Sequence, residues 1–501
     1  MTDLLSINQV AQTLGVHPIT VRRYLREGKL YGIKVGGNIR IQKKSLNAFF
    51  KPLTENKKLL NYKDLLLQGK KKIGIWGTGY IGFSTMAHFA SNGIYTLGYD
   101  TDQTRVSSIN NGEVYIQGMA FWLGFSTKPL VDSGHMKATT DWKKLASDDV
   151  LVHFICIPTE KNGVPWWEPL NDVIKKLANL KQIKNSHPPL VIVESTLTPG
   201  TTDKIIIPLF KKNGLIIGKD LLLGVAPRRD WFVDREHSLK ELDRVFGAVD
   251  EKSAQASEEV LSIVCKKLHR ASSYKTAEMV KSIENAYRQM EITLANQLSL
   301  AFPNVDMKEV LRLVGTKWNI GTYQPSFGTG GYCIPLSSKY VLEGALHPKH
   351  LTLLKETIET DTKMPQIVAV TLAEKCKSVA VLGLSYKGNI KVPNLSPAIT
   401  IVKQLQNKGI KVRIFDPYFE KDEIKKIVGA ETFIFPDGLL EFEGIAVICD
   451  HHEFTTAHVH NVLQKLENCK IILDNVGIWK DLELGKNGVL YKIPGQEGWL
   501  S

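Results

Sequence analysis

No stretch of the 501 residues approaches the roughly 18 consecutive apolar residues of a membrane-spanning helix, and the opening Met1-Thr2-Asp3-Leu4-Leu5 lacks the basic region and apolar core of a secretory leader. A cytoplasmic protein with no membrane partner is expected. Cysteine is sparse: Cys156, Cys265, Cys333, Cys376, Cys449 and Cys469 are scattered without a CxxC pair, and the histidines do not cluster at metal-ligand spacing. That argues against a disulfide framework or a zinc site, and no metal is expected. Acidic residues are scarce at one end only. Residues 1–72 hold fifteen Lys and Arg against four Asp and Glu, so +11 of the net +13 sits there and the remaining 429 residues carry only +2. A basic module attached to a nearly neutral body suggests a segment that meets a polyanion while the rest does something else.

What is present is ordinary globular composition, 43% hydrophobic and 23% charged, long enough for three or four domains. In the basic module, Ser6 to Val16 reads as a capped helix ending at Gly15, with Ile7, Val10, Ala11 and Leu14 on one face. A second helix from Pro18 turns Thr20, Val21, Tyr24 and Leu25 inward and Arg22, Arg23 and Arg26 outward. Gly28 to Ile41 reads as two strands around Gly36-Gly37, a wing whose Lys34 and Arg40 are placed for phosphates. With its closing helix Ser45 to Phe50, the segment from Leu5 resembles the excisionase and MerR-type winged helix-turn-helix family. The resemblance implies DNA as a partner for residues 1–53, or a docking module that has kept the fold. Residues 54–70, rich in Lys, Asn and Leu, are expected to link this module to the body through a short helix.

Lys72 to Trp76 is a short apolar strand, followed by Gly77-Thr78-Gly79-Tyr80-Ile81-Gly82, a helix to about Asn92, and a second strand, Tyr95 to Tyr99, ending in Asp100. Three glycines alone are weak evidence. Strand, fingerprint, helix, strand and terminal acid in this order are a dinucleotide site. Gly77 allows the tight turn, Gly79 lets backbone approach the pyrophosphate, and Gly82 lets helix and strand pack closely. Tyr80 and Ile81 start the helix whose N-terminus faces the phosphates. Asp100, 18 residues after Gly82, is placed to accept from a ribose 2′-hydroxyl, which favours NAD over NADP. Two further strands, Val150 to Ile157 and Leu190 to Val193, lead into Thr159 and Glu194-Ser195-Thr196, so Thr159 and Thr196 are candidate site residues at strand ends.

Tyr274 to Leu300 reads as one long helix with Ala277, Val280, Ile283, Ala286 and Tyr287 among its buried positions. Lys281 and Asn285, four apart, share a face that spacing alone leaves open between site and solvated flank. Then Gly328-Thr329-Gly330-Gly331-Tyr332-Cys333 places three glycines, expected to expose backbone amides, before a cysteine. A thiolate beside an oxyanion site suits acyl-type chemistry.

At these residues the body resembles the UDP-glucose/GDP-mannose dehydrogenase family of nucleotide-sugar 6-dehydrogenases. The motifs are Gly77 to Gly82, Pro158-Thr159, Glu194-Ser195-Thr196 with Pro199-Gly200-Thr201-Thr202, Ala277-Glu278 through Lys281 to Arg288, and Gly330 to Pro335. Gly383-Leu384-Ser385-Tyr386-Lys387, Ser396-Pro397 and Asp416-Pro417-Tyr418 complete the set, so the resemblance spans nearly all of residues 71–480. It implies an NAD-binding Rossmann domain at 71–265, a central helical dimerisation region at 266–365 and a nucleotide-sugar-binding Rossmann-like domain at 366–501. The expected fold is therefore α/β: two doubly wound parallel-sheet domains joined by a long helix, plus the small winged helix-turn-helix.

The implied reaction oxidises a primary 6-alcohol to a carboxylate in two hydride transfers, each to its own NAD. By resemblance Cys333 attacks the aldehyde, Lys281 and Asn285 stabilise the oxyanion, and Thr196 places water. Lys281, Asn285, Arg229, Gly330 and Lys387 meet the nucleotide sugar, and a homodimer is implied. The chain departs from the family pattern at Ser337 and Arg228, where acids are expected, and at Val392 and Asn394, which replace an Asp-x-Arg pair. Arg228 is expected to favour the thiolate of Cys333, while thioester hydrolysis loses a general base that Asp230 or Asp234 would have to supply. Two functions follow: an active dehydrogenase with an accessory DNA-binding-type domain, or a transcriptional regulator whose dehydrogenase-derived body senses NAD or a nucleotide sugar.

Overall fold

The computed structural model describes residues 4–49, 61–161, 163–182, 187–230, 238–455, 459–482 and 484–500. Two units result, Met1–Asn61 and Tyr62–Ser501. In the first, Ser6 ends strand β1 (Leu4–Ser6) and starts helix α1 (Ile7–Leu14). Its hydroxyl accepts the Gln9 amide at 3.2 Å while the Gln9 side chain accepts the Ser6 amide at 2.8 Å, which satisfies two donors that the helix start leaves unpaired. Gly15, with φ +65°, stops α1, and Pro18 opens α2 (Pro18–Arg26). Strands β2 (Gly32–Val35) and β3 (Asn38–Gln42) pair antiparallel around Gly36 and Gly37, both at positive φ, and α3 (Lys43–Phe49) follows. The three strands run β1-β3-β2. Val10, Ala11, Val21, Leu30, Ile41 and Leu46 make the core, and Arg22, Arg23 and Arg26 stay exposed on α2. The winged helix-turn-helix pattern read from the sequence is thus present.

Within residues 54–70, helix α4 (Tyr62–Leu67) opens the second unit: the Tyr62 amide donates to Glu259 at 2.8 Å and its hydroxyl to the Pro188 carbonyl at 2.6 Å. Leu59 and Leu60 lie outside the described residues. The next strands are β4 (Lys72–Trp76), β5 (Thr96–Tyr99), β6 (Met136–Thr139) and β7 (Val150–Ile155), with α5 (Tyr80–Ser91) between β4 and β5. A hairpin, β8 (Glu160–Lys161) and β9 (Val164–Pro165), precedes β10 (Leu190–Val193), β11 (Leu222–Val225), β12 (Arg244–Ala248) and β13 (Leu268–Arg270). Apart from the hairpin they form one sheet, ordered β13-β12-β11-β10-β7-β4-β5-β6, parallel except between β11 and β12. Strands β7, β10 and β11 are buried along their whole length, which is why they read as unbroken apolar runs.

The long helix Tyr274–Ala301 leaves this sheet. After it come the helices Ile334–Gly344 and Thr352–Lys375 and a second, wholly parallel sheet. Its strands β14 (Ser378–Leu382), β15 (Lys411–Phe415), β16 (Gly444–Val447), β17 (Ile471–Asp474) and β18 (Leu490–Lys492) run β15-β14-β16-β17-β18, with an apolar core on each face. The α/β class with Rossmann-like parallel sheets is therefore as the sequence predicts. Among the described residues no helix is long and apolar enough to cross a membrane.

The long helix departs from its expected facing. Ala277 and Ala286 are buried and Val280 and Ile283 half-buried, but Tyr287 is 61% exposed, alongside Met279 and Leu294. The buried face is instead polar: Lys281, Ser282, Asn285, Gln289 and Asn296. Apolar periodicity points a helix toward whatever covers it, and here the polar side meets Ser337 and Asp361 of the helices Ile334–Gly344 and Thr352–Lys375, while part of the apolar stripe is left outward.

Candidate active site

Gly77 turns the chain at the end of β4 with φ +88°, and a Cβ there would lie 2.6 Å from the Cys156 carbonyl oxygen. A Cβ on Gly82 would come within 1.9 Å of the Gly77 oxygen, so α5 starts against the turn only because position 82 has no side chain. At Gly79 a Cβ would meet nothing within 4 Å, so the turn is open on that side, beside the amides that begin α5. Asp100 is 7% exposed. Its Oδ2 accepts the Thr78 amide at 2.9 Å and the Thr78 hydroxyl at 2.8 Å, and its Oδ1 accepts the Asp102 amide at 3.0 Å. The carboxylate thus holds the glycine turn as well as ending the second strand. Arg105 lies 3.6 Å from it, and the Tyr115 hydroxyl donates to the Thr78 carbonyl. Sequence reasoning missed both neighbours, since neither belongs to the fingerprint. Tyr80 and Ile81 form the first turn of α5.

Thr159 and Thr196 come together where β7 and β10 end. The Thr159 hydroxyl donates to the Thr196 carbonyl at 2.6 Å, and Ser195 Oγ accepts the Ile157 amide at 3.0 Å. Beside them lies a buried charge cluster. Glu194 takes Arg244 at 2.5 Å and Arg228 at 3.7 Å, Arg228 pairs with Asp230 at 2.5 Å, and Arg228 also donates to the hydroxyls of Thr85 (2.5 Å) and Ser84 (3.1 Å) on α5. Two guanidiniums and two carboxylates offset one another out of water.

This corrects two sequence expectations. The charge of Arg228 is taken up by Glu194 and Asp230 rather than offered to Cys333. Asp230, expected as a substitute base, is fully buried: burial works to raise its carboxyl and Arg228 outweighs it, holding it below the usual carboxylate range. A carboxylate so held is a poor proton acceptor. Asp234 lies outside the described residues.

Cys333 is exposed at the N-terminus of the Ile334–Gly344 helix, whereas the other five cysteines are buried. The glycines before it serve a purpose the sequence did not suggest. A Cβ on Gly330 would sit 2.4 Å from Tyr386 Cβ, and one on Gly331, at φ +82°, 2.8 Å from the Tyr386 ring. The amides are not all free for an oxyanion, because Thr329 donates to Asp361 and Gly331 to the Asn394 carbonyl, each at 2.8 Å. That is the third correction: partners from distant segments consume donors that a local reading leaves open.

From the long helix, Asn285 Nδ2 donates to Ser337 Oγ at 3.1 Å, and Ser337 Oγ donates to the Cys333 carbonyl at 2.7 Å. Lys281 and Asn285 are 8% and 1% exposed, so the shared face points inward and not to solvent. Lys281 Nζ lies 3.2 Å from Glu284, whose other oxygen accepts Arg229 Nε at 2.8 Å. Glu278, on the same helix, accepts the amides of Thr201 (2.8 Å) and Thr202 (3.1 Å), which joins two motifs distant in sequence. Tyr386 stands close to Cys333, and burial pushes its phenol up to about 12. Lys387, half-buried, has its ammonium pKa pushed down by burial, with Asp450 opposing and Arg288 adding to the effect.

Three models of one family match in register with this layout. They are the NAD binding domain (residues 71–264), the central domain (275–363) and the UDP binding domain (380–481) of the UDP-glucose/GDP-mannose dehydrogenase family. The chain belongs to that family. NAD is its cofactor, and the tight Gly77 turn, the open side of Gly79 and the buried Asp100 fit that group. The chain is 30% identical over 432 residues to a UDP-N-acetyl-D-mannosamine dehydrogenase of Pyrococcus horikoshii, covering 83% of this chain and 97% of the relative. It is 31% identical over 427 residues to a protein of the same description from Methanocaldococcus jannaschii, covering 81% and 92%. A solved UDP-D-ManNAc dehydrogenase structure from Pyrococcus horikoshii is similar over 85% of this chain and all of that one, with TM-score 0.74 and 28% identity. Residues 4–52 match a helix-turn-helix domain model, which none of the dehydrogenase models covers.

Proposed function

We propose that this NAD-dependent dehydrogenase oxidises the 6-hydroxymethyl group of a UDP-N-acetylhexosamine to a carboxylate. The observation that carries the reading is the exposed Cys333 at a helix start, tied through Ser337 to Asn285, with Lys281 on the same inward face of the long helix. The relatives described as UDP-N-acetyl-D-mannosamine dehydrogenases favour an N-acetylated sugar on UDP. NAD, when bound, supplies the hydride acceptor for both oxidations. Gly77, Gly79, Tyr80, Ile81, Gly82, Asp100, Thr159 and Thr196 would hold it, within residues 71–265. Arg229, Gly330 and Lys387, together with Lys281 and Asn285, would hold the nucleotide sugar, with residues 366–501 supplying much of its site.

Cys333 Sγ bonds to C6 of the aldehyde, giving a thiohemiacetal whose oxygen faces the Lys281 ammonium and the Asn285 amide. Loss of hydride from C6 leaves a thioester. Water placed by Thr196 adds to the carbonyl carbon, the C–S bond breaks, and the carboxylate leaves with the thiolate restored. The protein is placed in the cytoplasm, as a homodimer formed through residues 266–365, whose long helix leaves Met279, Tyr287 and Leu294 outward and whose next helix, Met307–Val314, exposes Val310 and Leu313. The deciding assay offers UDP-N-acetylmannosamine, UDP-N-acetylglucosamine, UDP-glucose and GDP-mannose with NAD. Two NADH per sugar, abolished by Cys333→Ala, is the expected result, and a panel without NADH overturns the reading.

A second reading rests on the helix-turn-helix match and the exposed Arg22, Arg23 and Arg26 of α2: residues 1–53 bind DNA, with Lys34 and Arg40 of the wing on phosphates. Under it the body senses NAD or a nucleotide sugar for a transcriptional regulator. Salt-dependent binding to one DNA site, altered by ligand, supports it, and no binding at low salt removes it.

A further inference from the structure

Glu284 belongs to none of the roles above, yet its carboxylate is shared by two residues assigned to the site. Oε1 lies 3.2 Å from Lys281 Nζ and Oε2 accepts Arg229 Nε at 2.8 Å, while Arg229 Nη1 donates to the Asp243 carbonyl at 2.9 Å. The two cations come from different parts of the fold: Lys281 from the long helix, Arg229 from the segment after β11. Their side chains are 10% and 30% exposed, and that of Glu284 27%, so the trio sits at the edge of solvent rather than in it. Without the carboxylate two positive groups would face each other there, and a lysine on a flexible four-carbon stem would have several rotamers to choose from. With it, one acid fixes two cations and leaves the trio with a net single positive charge, suited to an oxygen that becomes negative.

We propose that Glu284 is a positioning residue for the oxidation, holding the Lys281 ammonium in place from one carboxylate oxygen while Arg229 anchors the other, without itself touching substrate. The inference rests on the reading that Lys281 and Arg229 serve the site. Misplacing a reacting or stabilising group by about 1 Å costs on the order of a hundredfold in rate.

The test is a mutant cycle followed by NADH formation under single-turnover conditions, with thermal unfolding recorded for each variant. Glu284→Gln, which keeps the shape and removes the charge, is expected to lower the rate about tenfold to a hundredfold, and Glu284→Asp to recover part of it. In a Lys281→Ala background the same Glu284→Gln change should cost less than about twofold, because the group through which it acts is gone. Independent, multiplicative losses in the double variant overturn the proposal, as does a Glu284→Gln enzyme as fast as the wild type. Should Glu284→Gln unfold, Glu284→Asp carries the same cycle, its loss again expected to vanish in the Lys281→Ala background and the proposal overturned if it persists. A wild type inactive on every nucleotide sugar sinks the functional reading and this proposal with it. An active wild type with additive losses sinks only the proposal.

Discussion

Asn285 Nδ2 donates to Ser337 Oγ at 3.1 Å, and the hydroxyl it meets is already committed to the Cys333 carbonyl at 2.7 Å. Ser337 therefore tethers the long helix to the first turn of the cysteine helix. It is a strut and not a proton acceptor, since its one O–H is given to the Cys333 carbonyl and the lone pair left beside the Asn285 contact belongs to a neutral hydroxyl, too weak a base to take a proton from water.

Ser337→Asp should change that. A carboxylate keeps the acceptor for Asn285 and adds a base, an effect worth about a hundredfold or more where proton transfer limits the rate. In the wild type we expect a burst of two NADH per active site and then a slower phase, with a mass adduct on Cys333. In Ser337→Asp the slow phase should accelerate and the adduct fade. Identical steady-state rates in the two proteins would show that hydrolysis is not the limiting step.

Asp100 and Arg105 lie 3.6 Å apart beside the glycine turn, where the proposed function puts the adenosine ribose of NAD. Replacing Asp100 by Ser removes the anion that disfavours a 2′-phosphate and leaves the guanidinium that welcomes one. NAD should bind less well, by about tenfold, because the Thr78 contacts are also lost, and the NADP-to-NAD ratio of kcat/KM should rise. An unchanged ratio would contradict the assignment of this end of the turn.

His88 is buried in α5 between the rings of Trp122 and Phe125, with its Nδ1 2.9 Å from the Ser84 carbonyl. Burial pushes its imidazole from the ordinary 6.5 down to about 4. The folded state therefore refuses a proton that the unfolded state accepts. The stabilisation is complete above pH 6.5 and is lost as pH falls toward about 4, at most on the order of 3 kcal/mol. His153, pushed down to about 3 by burial, acts in the same direction. Urea midpoints should fall between pH 7 and pH 5, and His88→Phe should flatten part of that slope; equal slopes would rule the histidine out as the cause.

Arg22 and Arg26 are exposed one turn apart on α2. Replacing both by Glu should weaken DNA binding uniformly across sequences and lower the log–log salt slope by about 2, while NAD reduction by the same preparation is unaffected. Gel-shift titration at several salt concentrations measures it, and an unaltered slope would remove α2 from the interface.

Much of this was legible along the chain. The β4–turn–α5–β5 unit is local, so period and glycine spacing reveal it, and the parallel-sheet class follows from repeated apolar runs. Spacing puts Lys281 and Asn285 on one face and leaves open whether it is site or solvated flank; that face points inward. What escaped depends on partners far away in sequence. Glu284 meets Arg229 across 55 residues, Gly331 gives its amide to Asn394, and Arg228 finds Glu194. Tyr287 faces outward although it lies seven and four residues after the half-buried Val280 and Ile283, because periodicity identifies a stripe and not what covers it.

Tyr386 bears on more than its own neighbourhood. Its ring occupies the space that side chains at Gly330 and Gly331 would need, so a residue from just after β14 in the second sheet moulds the loop in front of Cys333. The setting of Cys333 is thus a shared possession of two halves of the chain. A fragment ending before β14 would keep the thiol and lose the mould, and a gene split before β14 would regain activity only when both pieces are expressed together.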